Sequence, residues 1–217
     1  MQTTYADTVP QRGHPVAWLV FAMALYLGPT PDSRSAQTSP ETVVSSVSNR
    51  ILNAMRTRHD ELIADPGKLY TLIDNVVVPH FDIDAVTRMV LGPHWRRANA
   101  SQRQRFTHAF KRLLINSYAK VLLLHRHALI QVQPVPASQP APRRVAVHSS
   151  VNDDGEKSIA IVYRMRLKDG VWKIYDFDVE GVSLILNYKN SFSAQIEKQG
   201  LDGLIKSLDE KNAAFTL

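Results

Sequence analysis

The sequence predicts an α+β domain in which a curved antiparallel sheet of about four strands is packed with N- and C-terminal helices and encloses an apolar pocket. Three observations lead there. Apolar residues recur at helical spacing from residue 40 to about residue 126. Four strand-like segments then follow in series, at 128–132, 145–151, 159–168 and 171–179. The last two are joined by Lys168-Asp169-Gly170, because Asp-Gly tolerates the positive φ of a tight hairpin, and they run into a helical pattern that Ser183 can cap.

Residues 1–36 read as an export signal. Arg12 and His14 precede the apolar run from Val16 to Leu27. That run falls short of the roughly 20 apolar residues a membrane span needs, and it has the length of a signal-peptide core. Ser33, Ser35 and Ala36 offer cleavage positions, and an uncleaved anchor is the alternative. Either places the remainder outside the cytoplasm, as a domain over 37–212 with a short tail at 213–217.

From residue 40 to residue 63, Val43, Val44, Val47, Ile51, Leu52 and Met55 mark one amphipathic helix. Asp65-Pro66-Gly67 interrupts it, and Pro66 suits the first position of a second helix that ends at Pro79. His80, Asp82 and Asp84 alternate, which suggests a metal site, but a capping carboxylate for the helix reaching Leu91 explains them more simply. Gly92-Pro93 closes that helix. The longest helix spans about 101–126, with Asn99 or Ser101 as cap and Ser101 with Gln104 as a capping box. Its apolar stripe includes Phe106, Phe110, Leu114, Tyr118, Val121 and Leu122, and its other face is basic. His125 and His127 read as helix-end cations.

The strand at 159–168 alternates cleanly, with Ile159, Ile161, Tyr163, Met165 and Leu167 on one face and Arg164, Arg166 and Lys168 on the other. The next strand does not. Val171, Tyr175, Phe177 and Val179 share one parity, while Trp172 and Ile174 share the other with Asp176 and Asp178. A strand apolar on both faces is covered twice or lines a cavity. A final helix is expected from Ser183 to near Gly200, then a short one through Leu208.

The formal charge is +6 and the pI about 9.6, which favours anionic partners: nucleic acid, lipid headgroups or an acidic protein surface. The export signal and the lack of aromatic residues interleaved with the basic ones argue against nucleic acid. There is no cysteine, no glycine-rich phosphate loop and no H-E-x-x-H, so no catalytic residue, metal ligand or cofactor is assigned.

Several motifs resemble one family. Val78-Pro79-His80-Phe81-Asp82, Val90-Leu91-Gly92, Trp95-Arg96, Gln102-Arg103 and Phe106 are similar to the N-terminal pattern of the MlaC family. Trp172-Lys173-Ile174-Tyr175-Asp176, Val179-Glu180-Gly181-Val182-Ser183-Leu184 and Asn187-Tyr188 are similar to its C-terminal pattern, and residues 200–205 to its ending. The proline-rich loop at 134–142 and Lys189, where an arginine is expected, depart from it. The resemblance implies an NTF2-like sheet with added helices, and a periplasmic phospholipid carrier rather than an enzyme. It further implies exchange with an inner-membrane ABC transporter complex that has an MCE-domain subunit, and with an outer-membrane lipoprotein–porin complex, in maintaining outer-membrane lipid asymmetry. The candidate lining for both acyl chains is Phe110, Leu114, Tyr118, Val147, Val151, Ile161, Tyr163, Trp172, Ile174, Val182 and Leu186. Two alternatives stay open: an enzyme with Asp176, Asp178 or His148 inside the pocket, and an adaptor that carries no lipid.

Overall fold

In a computed structural model, residues 38–136, 138, 142–153 and 158–215 are described. The export signal predicted at 1–36 lies outside them.

Helix α1 (Pro40–Thr57) starts at Ser39, whose side chain accepts from the Thr42 amide. It buries the predicted stripe from Val43 to Met55. The single helix expected to residue 63 breaks at Arg58, and α2 (His59–Ala64) turns Leu62 inward. The four polar residues Thr57-Arg58-His59-Asp60 put nothing apolar on the stripe, so the core does not hold the helix straight there. Helix α3 (Pro66–Val76) begins at the predicted proline, with Asp65 accepting from the Gly67 and Lys68 amides. A 3₁₀ turn (Val78–His80) leads to α4 (Ile83–Leu91), capped by Asp82 through the Ala85 amide at 3.2 Å. Gly92, at φ +52°, ends α4, but Pro93 at once opens a short α5 (Pro93–Arg97) that the pattern did not suggest.

Helix α6 (Ala100–Leu124) carries a capping box two residues earlier than expected. Asn99 accepts from the Gln102 amide at 2.8 Å, and the Gln102 side chain accepts from the Asn99 amide at 3.1 Å. Asn99 wins because its extended backbone already sits outside the helix, whereas Ser101 lies within it.

Strands β1 (Leu129–Val132), β2 (Arg144–Asn152), β3 (Ile159–Lys168), β4 (Val171–Val179) and β5 (Val182–Ser183) form one antiparallel sheet in sequence order. The fifth, two-residue strand extends the predicted four. Asp169 and Gly170 both take positive φ, as the hairpin requires. Ser183 then caps α7 (Leu184–Ala213) by accepting from the Leu186 amide. Gly200, at φ +73°, kinks α7 where two helices were expected.

The mixed strand is explained by its register. Arg164 pairs with Asp176, but Met165 pairs with Ile174, so Tyr175 is an extra residue on β4. The bulge reverses the parity of everything after it. Trp172 and Ile174 before it, and Phe177 and Val179 after it, therefore all point to the inner face. Asp176 and Asp178 point to the outer face, where Arg164 reaches them at 3.3 and 2.8 Å. On the same outer face Arg166 and Lys168 pair with Asp82, which is 3 % exposed. Burial opposes charge on Asp82, but the hydrogen bonds from Arg166 and the Ala85 amide outweigh it and hold the carboxyl below its usual range.

Three apolar clusters result. One joins α4, α6 and α7 around Phe106, Phe110 and Phe192. A second joins α1, α2, α3 and the C-terminal half of α6. The third packs α1 on Val147, Met165, Trp172 and Ile174 of the sheet.

Candidate functional site

Between the second cluster and the inner face of the sheet lies a cavity of about 390 Å³. Its walls follow from the two periodicities of the chain. From α6 and its C-terminal cap come Lys111, Leu114, Ile115, Tyr118, Val121, Leu122 and His125, a stripe at three- and four-residue spacing that covers about 21 Å of helix at about 1.5 Å per residue. From the sheet come alternate residues: Ile130 of β1, Val151 of β2, Ile159, Ile161 and Tyr163 of β3, and Ile174, Phe177 and Val179 of β4. Val44, Val47 and Ile51 of α1 and Ile73 of α3 close the far side.

Phe177 is the hub of an aromatic set within this wall. Phe81 meets it edge-on at 6.2 Å and Tyr118 at 6.0 Å, while Tyr163 lies tilted at 6.5 Å. The polar atoms are few and answered. Burial raises the pKa of the Tyr163 hydroxyl, which has Ser48 and Ser149 as polar neighbours, as it does that of Tyr118, and Ser149 Oγ donates to the Ile161 carbonyl at 3.4 Å. The stripe on α6 is bounded at each end by a polar side chain that meets a carboxylate. Lys111 donates to Asp74 of α3 at 2.8 Å, and that bond raises the lysine's pKa. His125 Nδ1 lies 2.7 Å from Asp153 at the end of β2. Among the described residues no buried side-chain polar atom lacks a partner, and no three His, Asp or Glu side chains come together as metal ligands would.

Six of the eleven residues predicted to line a pocket do line it: Leu114, Tyr118, Val151, Ile161, Tyr163 and Ile174. Five do not. Phe110 stacks on Phe106 in the α4–α6–α7 cluster. Val147 and Trp172 face inward but beneath α1, in solid core. Val182 and Leu186 are 62 % and 56 % exposed, because β5 is a two-residue edge and Leu186 faces outward on the first turn of α7. Sequence reasoning missed the α1 wall, whose stripe it read as packing on something larger, and it missed Phe81, Phe177 and Val179. Undoing the bulge would have recovered the last two.

The groups that an enzyme on this fold was expected to use lie elsewhere. Asp176 and Asp178 are on the opposite face of the sheet, and His148 is exposed. What the cavity offers is an apolar surface of irregular shape with its polar groups at the ends.

A family model described as MlaC protein matches residues 45–210. The chain belongs to the MlaC family. Its likeness extends to two named relatives. The intermembrane phospholipid transport system binding protein MlaC of Haemophilus influenzae is 24 % identical over 180 residues, covering 81 % of this chain and 83 % of its own. The toluene tolerance protein ttg2D of Pseudomonas putida is 25 % identical over 176 residues, covering 81 % and 80 %. A phospholipid-binding protein from Ralstonia solanacearum, solved in complex with a phospholipid, superposes with a TM-score of 0.76 at 31 % identity, over 82 % of this chain and 99 % of that one. The family resemblance read from the motifs around Phe81 and Trp172, and the α+β class, are thus borne out.

Proposed function

We propose that this chain is a phospholipid carrier of the MlaC family, holding the acyl chains of a diacyl lipid in the cavity between α6 and the sheet. The observation that carries this is the cavity itself, walled by Val, Ile, Leu, Phe and Tyr, in a fold whose relative of 31 % identity was solved with a phospholipid. Two acyl chains hold roughly 30 methylenes, and at about 0.8 kcal/mol each their exposure to water would cost about 24 kcal/mol. A carrier must hide nearly all of that. It does not need to bind lipid more tightly than a bilayer does, since the chains pass from one apolar environment to another. Plain side chains without a catalytic apparatus meet that requirement.

In this reading the chain works in the periplasm. It exchanges lipid with an inner-membrane ABC transporter complex bearing an MCE-domain subunit and with an outer-membrane lipoprotein–porin complex. It does no chemistry on its cargo. As a passive carrier it equilibrates between partners, and the direction of flow belongs to the whole pathway.

Native mass spectrometry of protein purified without detergent tests this. One diacyl phospholipid per chain is expected. A lipid-free mass, with no uptake from liposomes, would overturn the carrier reading in favour of an adaptor.

A further inference from the structure

The cavity needs an exit, and the side chains locate it. Toward the middle of α6 the wall is closed: Tyr118 packs on Phe177, and the Tyr188 hydroxyl of α7 lies beside Ser117. One turn further on, Val121 is the lining residue left most open, at 47 %. Leu124, 64 % exposed, continues the same outward line of α6. Across the opening, Val182 pairs in register with Val179, which lines the cavity. Residues paired across antiparallel strands share a face, so Val182 extends the cavity surface outward to solvent. Leu186 follows it by one turn. These four stand among the eight exposed large apolar side chains of the described residues.

On its α6 side the lip carries charge of one sign. Helix α6 contains no acidic residue and carries five Lys and Arg. Lys111 and Arg105 are spent on Asp74 and Asp202, and Arg103 lies over the Trp95 ring. Lys120, next to Val121, and Arg126, just past the helix, have no carboxylate within 4.0 Å among the described residues. The nearby carboxylate of Glu180 is engaged by the Ala160 amide.

We propose that this lip docks on the surface of an anionic phospholipid bilayer, with Lys120 and Arg126 on headgroup phosphates and Val121, Leu124, Val182 and Leu186 against the outer acyl layer. The proposal rests on the carrier reading. It follows from two requirements. The exchange partners in the carrier reading are membrane complexes, so a mouth held against the bilayer beside them keeps the acyl chains out of water as they enter or leave the cavity. A small apolar patch flanked by cations that meet no carboxylate among the described residues is what interfacial binding uses, since apolar burial and attraction to anionic lipid add.

The test is flotation of the mature protein with phosphatidylglycerol or phosphatidylcholine vesicles, comparing wild type with the double variant Lys120→Glu/Leu124→Ser. Neither residue lines the cavity. Wild type is expected to float with phosphatidylglycerol and not with phosphatidylcholine, and to be released by high salt. The double variant should bind at least about tenfold more weakly, since each 1.4 kcal/mol is a factor of ten. Native mass spectra of both proteins, taken alongside, should show the same lipid adduct. Equal flotation of the two proteins would overturn the proposal. So would wild type that floats with neither vesicle, and the lip would then be a seat for a protein partner. Absence of the adduct from both counts against the carrier reading and is scored separately from flotation.

Discussion

The two halves of α6 each support four aromatic rings, and the two sets behave differently. In the N-terminal half, Phe106, Phe110, Tyr188 and Phe192 interlock, with five ring contacts at 5.0 to 6.0 Å. In the C-terminal half, Phe81, Tyr118 and Tyr163 each touch Phe177, at 6.0 to 6.5 Å, and among the described residues they do not touch each other. Composition is nearly the same, so hydrophobicity does not separate core from container. Closure does. Helix α7 seals the first set from outside, whereas the second is bounded on its inner side by empty volume. A close-packed set stabilises the fold, and an open one keeps a surface available.

Four substitutions would sharpen that contrast or break it. The largest effect is expected from Phe110→Ala, which empties a sealed site and should cost about 3–5 kcal/mol in denaturant unfolding. Molecules that remain folded should carry lipid at the wild-type ratio. Lost lipid with unchanged stability would mean that the sealed set is also part of the container.

Next is Asp82→Asn, which leaves Arg166 and Lys168 facing a neutral amide. Because Arg166 is about one-third exposed, the cost should fall below that of a fully buried pair, at about 2 kcal/mol. The pH dependence has a definite sign. The native carboxyl titrates below the usual value of about 3.9, so the unfolded chain binds more protons in that range. The stabilisation is complete above the usual value and is lost as pH falls through the native one. The gap in stability between wild type and Asp82→Asn should therefore narrow in acid. A gap that holds constant into acid would show that charge is not what Asp82 contributes.

Ser149→Ala removes the hydroxyl that donates to the Ile161 carbonyl and neighbours the Tyr163 hydroxyl, and should cost about 1 kcal/mol, with Ser48 retained beside Tyr163. Val151→Phe should shift stability least, by under about 1 kcal/mol, because it grows into open volume and not into packed atoms. Its mark should be on cargo, as less bound diacyl lipid in native mass spectra. A loss of 3 kcal/mol or more would mean that this part of the wall is as closely packed as the Phe110 cluster.

Much of this was legible in the chain. The alternation of β3, the Asp169-Gly170 turn, the Ser183 cap and the α6 stripe are local patterns, and local patterns survive folding. What was not legible depends on partners remote in sequence. Phe110 and Tyr118 lie on one stripe at helical spacing, and the packing of α7 against only one of them makes the first a core residue and the second a wall. Asp82 was readable as a cap, but not as the counter-ion of Arg166 on a strand formed 84 positions later. Trp172 and Val147 share their inward parity with the wall residues, and α1 happens to fill the space beneath them. The break at Arg58 and the short α5 were missed because each is settled by where the next apolar residue finds burial.

The extra residue on β4 has a consequence of another kind. Tyr175 is paired with nothing across the sheet, so its side chain is freer to vary than its neighbours'; its presence in the count is not free. Remove it, and the strand beyond keeps every amino acid while exchanging their destinations: two carboxylates would turn toward the oily chamber, and a phenyl ring and a valine toward Arg164. At this position the chain should tolerate almost any letter and no deletion. Part of the information for an apolar interior is thus stored as chain length.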